Sequence, residues 1–266
     1  MQLEAKVALI TGGARGLGEG IALVLAARGA NIAACDINLE GARQTADAVS
    51  ALGRRAEAYS VVFTSHDQLR QTVDAVLADL GRIDILVNAA GVIGAAGFED
   101  TTGSREEDWD LTFDVNVKGT ALASDAVSPH MKERRFGKIV NIASHAGRGG
   151  GSGGGAYGAS KAAVIHLTQS YALDLAPYNI NVNVVCPGTI WTPMWERIAD
   201  RAKRNNPEQQ HLTPRDIFDA AIAERCPLGR EQTPEDIGKA VAFFASDDAL
   251  NITGQSLNVN GGTRMN

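Results

Sequence analysis

Short apolar runs alternate with longer segments of helical spacing along the chain. The apolar runs occupy residues 7–10, 31–35, 83–87, 138–142, 180–185 and 256–259. Between them, apolar residues recur every three or four positions, which predicts helices over 17–28, 39–52, 66–80, 107–128, 157–176 and 234–245. Alternating strands and helices of this kind predict a parallel sheet.

The apolar runs are rich in Val, Ile, Leu and Ala and do not alternate with polar residues. Strands that are covered by helices on both faces have this character. We therefore predict an α/β fold of one domain over residues 1–266, a doubly wound parallel sheet of about seven strands flanked by helices. Residues 193–230 are charged and helical, which indicates an insertion that could cover a ligand.

Composition and charge narrow the class of function. The 266 residues are 44% hydrophobic, enough to bury one large core. The net charge is −6 and the basic residues are scattered, so we expect no nucleic-acid partner. No apolar stretch approaches the roughly 18 residues that a membrane-spanning helix needs, and we expect no membrane partner.

The cysteines and the amino terminus bear on compartment. Cys35, Cys186 and Cys226 are widely spaced without a C-x-x-C pair, which argues against a disulfide framework and a thiolate zinc site. We predict no metal. The first residues lack the features of a secretory signal, so a reducing, cytoplasmic location is expected.

A glycine-rich turn follows the first predicted strand. It contains Gly12, Arg15, Gly16, Leu17 and Gly18, after Thr11. Glycines there allow a tight turn and close backbone approach, so that a phosphate can bind the free amides where the next helix begins. Glycines also serve ordinary tight turns, so the turn alone does not decide.

An acidic residue, Asp36, ends the second apolar run about 20 residues beyond the glycines. A carboxylate at this position accepts hydrogen bonds from the adenosine ribose hydroxyls and repels a 2′-phosphate. We therefore predict a Rossmann-type site that prefers NAD to NADP. A helix-capping role for Asp36 is the alternative, and Arg15 could attract the extra phosphate of NADP.

Tyr157 and Lys161 are four residues apart and so share one helix face. A nearby ammonium favours the phenolate, which predicts a lowered tyrosine pKa and a useful general base. Ser144 follows a predicted strand, at the sheet edge where such folds bind ligands. Its hydroxyl could bond the oxygen of a substrate.

With these motifs in family order, the sequence resembles the short-chain dehydrogenase/reductase family. The resemblance covers nearly the whole chain and includes 88–91, Asn116 and 187–188. It implies Tyr157 as acid/base, Lys161 as pKa modifier and nicotinamide-ribose ligand, and Ser144 as substrate orienter. It also implies that Asn116 anchors a proton-relay water.

The resemblance further implies how the cofactor is held. Its contacts would include, besides the glycine-rich turn, Asp36, Tyr157 and Lys161, the residues Asn88, Ala89, Gly91, Pro187, Gly188, Ile190 and Thr192. Many relatives have Asp-Val before Thr64, where this chain has Val62-Phe63, so one usual adenine contact is expected to be missing. Family members assemble as tetramers through helices that correspond to 107–128 and 157–176.

The substrate side is less defined by the sequence. Glycines crowd 147–155, which fits either a roomy pocket that includes Gly151 or a surface loop. His145 and Trp195 could contact substrate, although either could be an ordinary packing neighbour. The segments 192–195 and 228–230 are similar to family members that act on acetoin, butanediol and polyols.

Three functions remain open at this point. The one we favour is hydride transfer between NAD(H) and a secondary alcohol or ketone, such as a polyol, sugar or vicinal diol. Reduction of a 3-oxoacyl thioester is disfavoured by Asp36. A nucleotide-sensing or scaffold protein is disfavoured because Ser144, Tyr157 and Lys161 are all present.

Overall fold

The computed structural model describes residues 2–150 and 155–265, and in these ranges one sheet of seven parallel strands forms the centre of the molecule. The strands are β1 Val7–Thr11, β2 Asn31–Asp36, β3 Ala56–Ser60, β4 Ile85–Asn88, β5 Gly137–Ile142, β6 Ile180–Pro187 and β7 Ser256–Val259. Their order is β3-β2-β1-β4-β5-β6-β7. The chain reverses direction across the sheet between β1 and β4, and such switch points bind ligands in doubly wound folds.

Helices cover both faces of the sheet. They are α1 Gly16–Ala27, α2 Leu39–Ala51, α3 His66–Leu80, α4 Glu106–Thr112, α5 Gly119–Arg134, α6 Gly155–Leu175, α7 Pro193–Asn205, α8 Pro214–Arg225 and α9 Pro234–Ala245. Helices α1, α2 and α9 pack on one face, and α3, α5 and α6 on the other. Successive side chains of β1 enter opposite cores, because Ala8 joins the first and Leu9 the second. The predicted doubly wound α/β fold is confirmed.

Strand β3 was not among the apolar runs. It lies at the edge of the sheet and pairs only with β2. Its sequence, AEAYS, places Glu57 and Ser60 in solvent and leaves the other residues half-buried. An edge strand with little covered surface needs no continuous apolar run, which is why hydrophobicity alone did not reveal it.

The prediction of one helix over 107–128 was wrong in two respects. Helix α4 passes through a π-helical turn, Phe113–Lys118, into α5. Helix α5 then continues past Pro129 to Arg134. Pro129 cannot donate to the Asp125 carbonyl, but the Ser128 hydroxyl does so instead at 3.4 Å, and the helix persists.

The segment 193–230 contains two helices, α7 and α8, as its composition predicts. Phe218 of α8 is fully buried between the rings of Trp191 and Trp195, each in edge-on contact. The small apolar cluster that results packs α7 against α8. Across 2–150 and 155–265, no helix is both long and apolar enough to cross a bilayer.

Candidate active site

The predicted site residues collect at one edge of the sheet, because parallel strands all point their carboxyl ends the same way. Strand β1 leads into the glycine-rich turn, β2 ends at Asp36, and β4 ends at Asn88. Strand β5 is followed by Ser144, and β6 ends at Pro187. These ends lie on both sides of the switch point between β1 and β4.

The glycine-rich turn needs its glycines for close packing. Gly12 has φ +70°, and a Cβ on it would lie 2.8 Å from the Cα of Ala90. A Cβ on Gly18 would lie 2.0 Å from the Gly12 carbonyl oxygen. The Thr11 hydroxyl fixes the neighbouring loop by accepting from the Ala89 and Ala90 amides, both at 3.1 Å.

The start of α1 is open to a bound phosphate. Gly16 has φ +61° and faces Thr192, whose methyl group lies 3.7 Å from a Cβ built there. Arg15 precedes the helix with an exposed side chain that makes no capping bond. The structure therefore brings the segment 190–192 against the turn, and leaves first-turn amides without a side-chain cap.

Asp36 ties β2 to this turn. One carboxylate oxygen accepts from the Ala14 amide at 3.1 Å, and the other from the Asn38 amide at 2.9 Å. Helix α2 is capped by Asn38, whose side chain accepts from the Gly41 amide, and not by Asp36. A glycine cradle with a half-buried carboxylate beside it fits the pyrophosphate and adenosine ribose of a dinucleotide.

Tyr157, Lys161 and Ser144 come together at the carboxyl ends of β5 and β6. A hydrogen bond joins the Ser144 hydroxyl to the Tyr157 phenol. The Lys161 ammonium donates to the Ile142 carbonyl at 2.9 Å and lies 5.7 Å from the centre of the Tyr157 ring. Ser144 and Lys161 are buried, and Tyr157 is half-buried.

Burial dominates the ionisation of this cluster. It raises the pKa of Tyr157 to about 12, while the hydrogen bond from Ser144 acts in the opposite direction. It also lowers the pKa of Lys161 to about 8. The lowered tyrosine pKa expected from the spacing is therefore not what the structure shows, since the cost of a buried phenolate exceeds the effect of the nearby amine.

Asn116 lies in the π-helical turn and is fully buried. Its side chain accepts from the Val92 amide at 2.8 Å and donates to the Val92 carbonyl and the Ser160 hydroxyl, both at 2.9 Å. A Cβ on Gly91 would lie 3.3 Å from both Asn116 Oδ1 and Lys161 Nζ. The structure thus brings Asn116 beside Lys161, and its anchoring of a water stays a prediction.

Three predicted cofactor residues direct their side chains into the protein. Asn88 donates to Asn141 at 2.9 Å and Ser124 at 3.2 Å, so its side-chain amide is engaged within the protein, and its place along the adenosine side of the cofactor stays a prediction. The packing of β4 against β5 and α5 is the physical reason for this engagement. Ile190 is buried in the core, which leaves its backbone for a ligand, while Leu17 packs against the core and remains partly exposed.

Pro187 and Gly188 form the corner after β6. The Gly188 amide donates to the Val259 carbonyl at 3.0 Å, and a Cβ on Gly188 would lie 2.2 Å from Gln232 Oε1. Ile190 bridges to Gln232. This corner is therefore attached to β7 and to Gln232, which lies two residues before α9.

The substrate candidates differ in what the structure says of them. An imidazole N–H at His145 Nδ1 donates to the Pro187 carbonyl at 3.1 Å, so one ring nitrogen is already used. Trp195 packs on Phe218, as the alternative interpretation holds, and remains partly exposed. Gly151 lies outside the described residues.

The sequence interpretation overlooked two buried residues of the site. Ser160 accepts from Asn116 and donates to the Tyr157 carbonyl at 2.8 Å, which links the π-helical turn to α6. Cys186 accepts the Ser144 amide at its thiol, and burial raises its pKa to about 11. Ser160 stands inside the Tyr157–Lys161 motif and could have been found there, whereas nothing in the sequence marks Cys186.

Proteins of known family are similar to this chain over nearly its whole length. The model of a family described as "Enoyl-(Acyl carrier protein) reductase" matches residues 12–264. A galactitol 2-dehydrogenase of Agrobacterium fabrum is 43% identical over 267 residues, which cover 100% of both chains. A 3-oxoacyl-[acyl-carrier-protein] reductase of Thermotoga maritima is 38% identical over 98% of this chain and 99% of its own. The solved structure of an NAD⁺-bound xylitol dehydrogenase is similar with a TM-score of 0.87 and 34% identity, over 98% of this chain and 100% of that one.

Proposed function

We propose that this chain, which belongs to the short-chain dehydrogenase/reductase family, is an NAD-dependent dehydrogenase of secondary alcohols. The observation on which the proposal rests most is the cluster of Tyr157, Ser144 and Lys161 beside the glycine cradle. Members of the family that are named as dehydrogenases or reductases act on CH–OH groups or the matching carbonyls. The chain is accordingly an oxidoreductase.

In the proposed reaction the side chains of this protein transfer a proton and stabilise charge. Tyr157 accepts the hydroxyl proton of the alcohol, or donates it to the ketone in the reverse direction. Ser144 orients the substrate oxygen, and the buried Lys161 ammonium holds the site ready for a negatively charged oxygen. Bound NAD⁺ would supply the hydride acceptor.

Asp36 supports the choice of NAD. Its carboxylate is fixed by the Ala14 and Asn38 amides, so it cannot swing away from a ligand without breaking two hydrogen bonds. A fixed negative charge at the end of β2 repels a ribose 2′-phosphate. Arg15 is exposed, so solvent and salt screen its attraction for a 2′-phosphate.

The proposed substrate is a polyol, sugar or small vicinal diol. The similarity to a galactitol 2-dehydrogenase and a xylitol dehydrogenase supports this class. The similarity to a 3-oxoacyl-[acyl-carrier-protein] reductase favours thioester reduction as a second candidate. We rank it lower because Asp36 disfavours NADPH, the usual reductant for biosynthesis.

A homotetramer is proposed as the working assembly. Apolar side chains remain exposed on both helical segments that the family resemblance assigns to interfaces, Trp109 on α4 and Leu173 on α6. Exposed apolar side chains of this size favour association.

A cytoplasmic location is also proposed. The three cysteines are free and buried, which supports it.

One screen tests the proposed function. The purified protein is offered secondary alcohols and polyols with NAD or NADP, and 3-oxoacyl thioesters with NADH or NADPH, while NADH or NADPH absorbance is followed. We expect turnover of at least one polyol or diol with NAD, and a higher kcat/KM with NAD than with NADP. Thioester reduction with NADPH as the main activity would contradict the proposal.

A further inference from the structure

The first turn of the catalytic helix is bonded by a residue from a distant segment. The Ser104 hydroxyl accepts the Ala156 amide at 3.1 Å, directly before Tyr157, from 52 residues upstream. A Cβ on Gly155 would lie 2.1 Å from this same oxygen, so the hydroxyl is packed against the start of α6. The amides of a first helical turn have no partner within the helix, which makes such an external acceptor effective.

The segment that contains Ser104 is fixed on one side by α4. The buried carboxylate of Asp108 accepts from the Ala95 amide at 2.8 Å and from the Arg105 amide at 2.9 Å. Burial opposes the ionised form of Asp108, but these hydrogen bonds outweigh it and lower its pKa. Asp108 thus remains a charged acceptor at neutral pH and holds both ends of the segment 95–105.

On the other side the segment is fixed by α7, which belongs to the substrate-side insertion. Arg201 donates to the Thr101 carbonyl at 2.6 Å and to the Gly103 carbonyl at 3.0 Å, next to Ser104. Its guanidinium also lies 4.2 Å from the ring centre of the buried Phe98. Arg197 donates to the Gly94 and Ala95 carbonyls at 3.1 and 2.8 Å and adds a second attachment.

We infer that Ser104 is a positioning residue for Tyr157, and that α7 sets the position of Ser104 through Arg201. The inference rests on the proposed function, because it assigns a role relative to the acid/base. A displacement of about 1 Å at a reacting group lowers the rate by about 10²-fold. A docked α7 therefore keeps the hydroxyl of Tyr157 in register with Ser144.

Three single variants test the role of Ser104. Ser104→Ala removes the acceptor, Ser104→Thr keeps it, and Ser65→Ala removes a hydroxyl that accepts from the Gln68 amide at the start of the remote helix α3. We expect kcat to fall about tenfold in Ser104→Ala with the NADH dissociation constant unchanged, and the pH profile of kcat to shift. Ser104→Thr should restore kcat, and Ser65→Ala should leave kcat and the pH profile unchanged.

Hydrogen exchange of residues 155–161 provides a readout that needs no substrate. Ser104→Ala should accelerate exchange at the first turn of α6, whereas Ser65→Ala should not. Wild-type kcat and pH profile in Ser104→Ala, an equal loss in Ser65→Ala, or unchanged exchange at α6 would each overturn the inference. A protein inactive with every alcohol would refute the proposed function, while the exchange data would still decide whether Ser104 fixes α6.

The contribution of α7 is tested by a double-mutant cycle. Arg201→Lys keeps the positive charge but cannot donate in a fork to two carbonyls. If Arg201 acts through Ser104, the double variant should lose less activity than the product of the two single losses. Fully multiplicative losses would separate α7 from Ser104 and contradict that part of the inference.

Discussion

Tyr157 shows how strongly burial changes the pKa of a single side chain. Its pKa is raised by burial to about 12, and the Ser144 hydroxyl is the group that pulls it back down. A phenol with a high pKa is mostly protonated at neutral pH, so the acid form needed for reduction is present and the base form needed for oxidation depends on alkaline conditions. We therefore expect the charge state of Tyr157 to set how the rates of oxidation and of reduction depend on pH.

A pH dependence follows from these directions. Because oxidation requires the phenolate and reduction the phenol, kcat/KM for oxidation should rise with pH, and kcat/KM for reduction should fall on the alkaline side. Ser144→Ala removes the hydrogen bond that lowers the Tyr157 pKa. Its oxidation profile should therefore move to higher pH, with turnover lower by about 10²-fold. A shift to lower pH in steady-state profiles would disprove this assignment.

A substitution at Asp36 separates the effect of its negative charge on cofactor choice from the effect of its hydrogen bonds. Asp36→Asn keeps an oxygen that can accept from the Ala14 amide but removes the negative charge. We expect the ratio of kcat/KM for NAD to that for NADP to fall about tenfold or more, or about 1.4 kcal/mol. Glu40→Gln, which changes an exposed carboxylate on α2, is the control and should leave the ratio unchanged. An unaltered ratio in Asp36→Asn would show that the charge does not select the cofactor.

At this scale the sequence predicted which residues come together at the candidate site, but not their environments. Motif spacing brought Tyr157, Lys161 and Ser144 to one place, as the structure has them. It could not show that burial raises the pKa of Tyr157, nor that the Asn88 side chain faces inward. Burial and side-chain direction depend on neighbours that are far away in the sequence.

At the scale of elements, predictions succeeded where the apolar pattern was strong. Strands β1, β2, β6 and β7 begin at the residues predicted, and β5 begins one residue earlier, since each is buried or packs against a buried neighbour. Strand β3 was missed because it is an edge strand. The continuation of α5 through Pro129 depends on one serine hydroxyl, a local substitution that no helical periodicity reveals.

The π-helical turn is a second element that spacing cannot predict. It inserts one additional residue into the helix between α4 and α5, and it contains Asn116. Such turns are frequent at functional sites, because they redirect a side chain out of the regular helical pattern. Here the redirected Asn116 side chain forms hydrogen bonds with Val92 and Ser160, and so connects the loop after β4 to the start of α6.

Asp84 precedes β4, at the end of the sheet opposite the candidate site. Its fully buried carboxylate accepts from Arg82 at 2.6 Å, Arg134 at 2.8 Å and the Val7 amide at 3.0 Å, and so joins β1 and α5 beside β4. Burial acts to raise the pKa of Asp84, yet these bonds lower it overall. Its stabilisation is present above the pKa of the unfolded state and is lost as the pH falls through the folded value.

Stability measurements test this network. Asp84→Asn leaves two guanidinium groups beside a neutral side chain, and should lower the free energy of unfolding by about 3 kcal/mol at neutral pH. Asp67→Asn, at a carboxylate 91% exposed beside His66, should change it by less than about 0.5 kcal/mol. Urea unfolding monitored by circular dichroism measures both. Equal stability of Asp84→Asn and the wild type would exclude a structural role for the network.

The fold class and the grouping of the predicted site residues could be predicted for the molecule as a whole, because strand–helix alternation and the order of motifs are properties of the entire chain. The attachment of α7 to the segment 95–105 was not, since it depends on arginine side chains reaching backbone carbonyls about 100 residues away. Backbone carbonyls leave no mark in the sequence. The sequence offered packing within the insertion as one alternative for Trp195, but it did not identify Phe218 as the partner.

Replacement of Tyr157 by Phe tests the central claim most directly, since it removes one hydroxyl and retains the ring. We expect unchanged unfolding and an unchanged NADH dissociation constant by fluorescence titration. With the polyol or diol that the wild type oxidises best, turnover should fall by about 10²-fold to 10⁴-fold. Turnover close to that of the wild type would contradict the account.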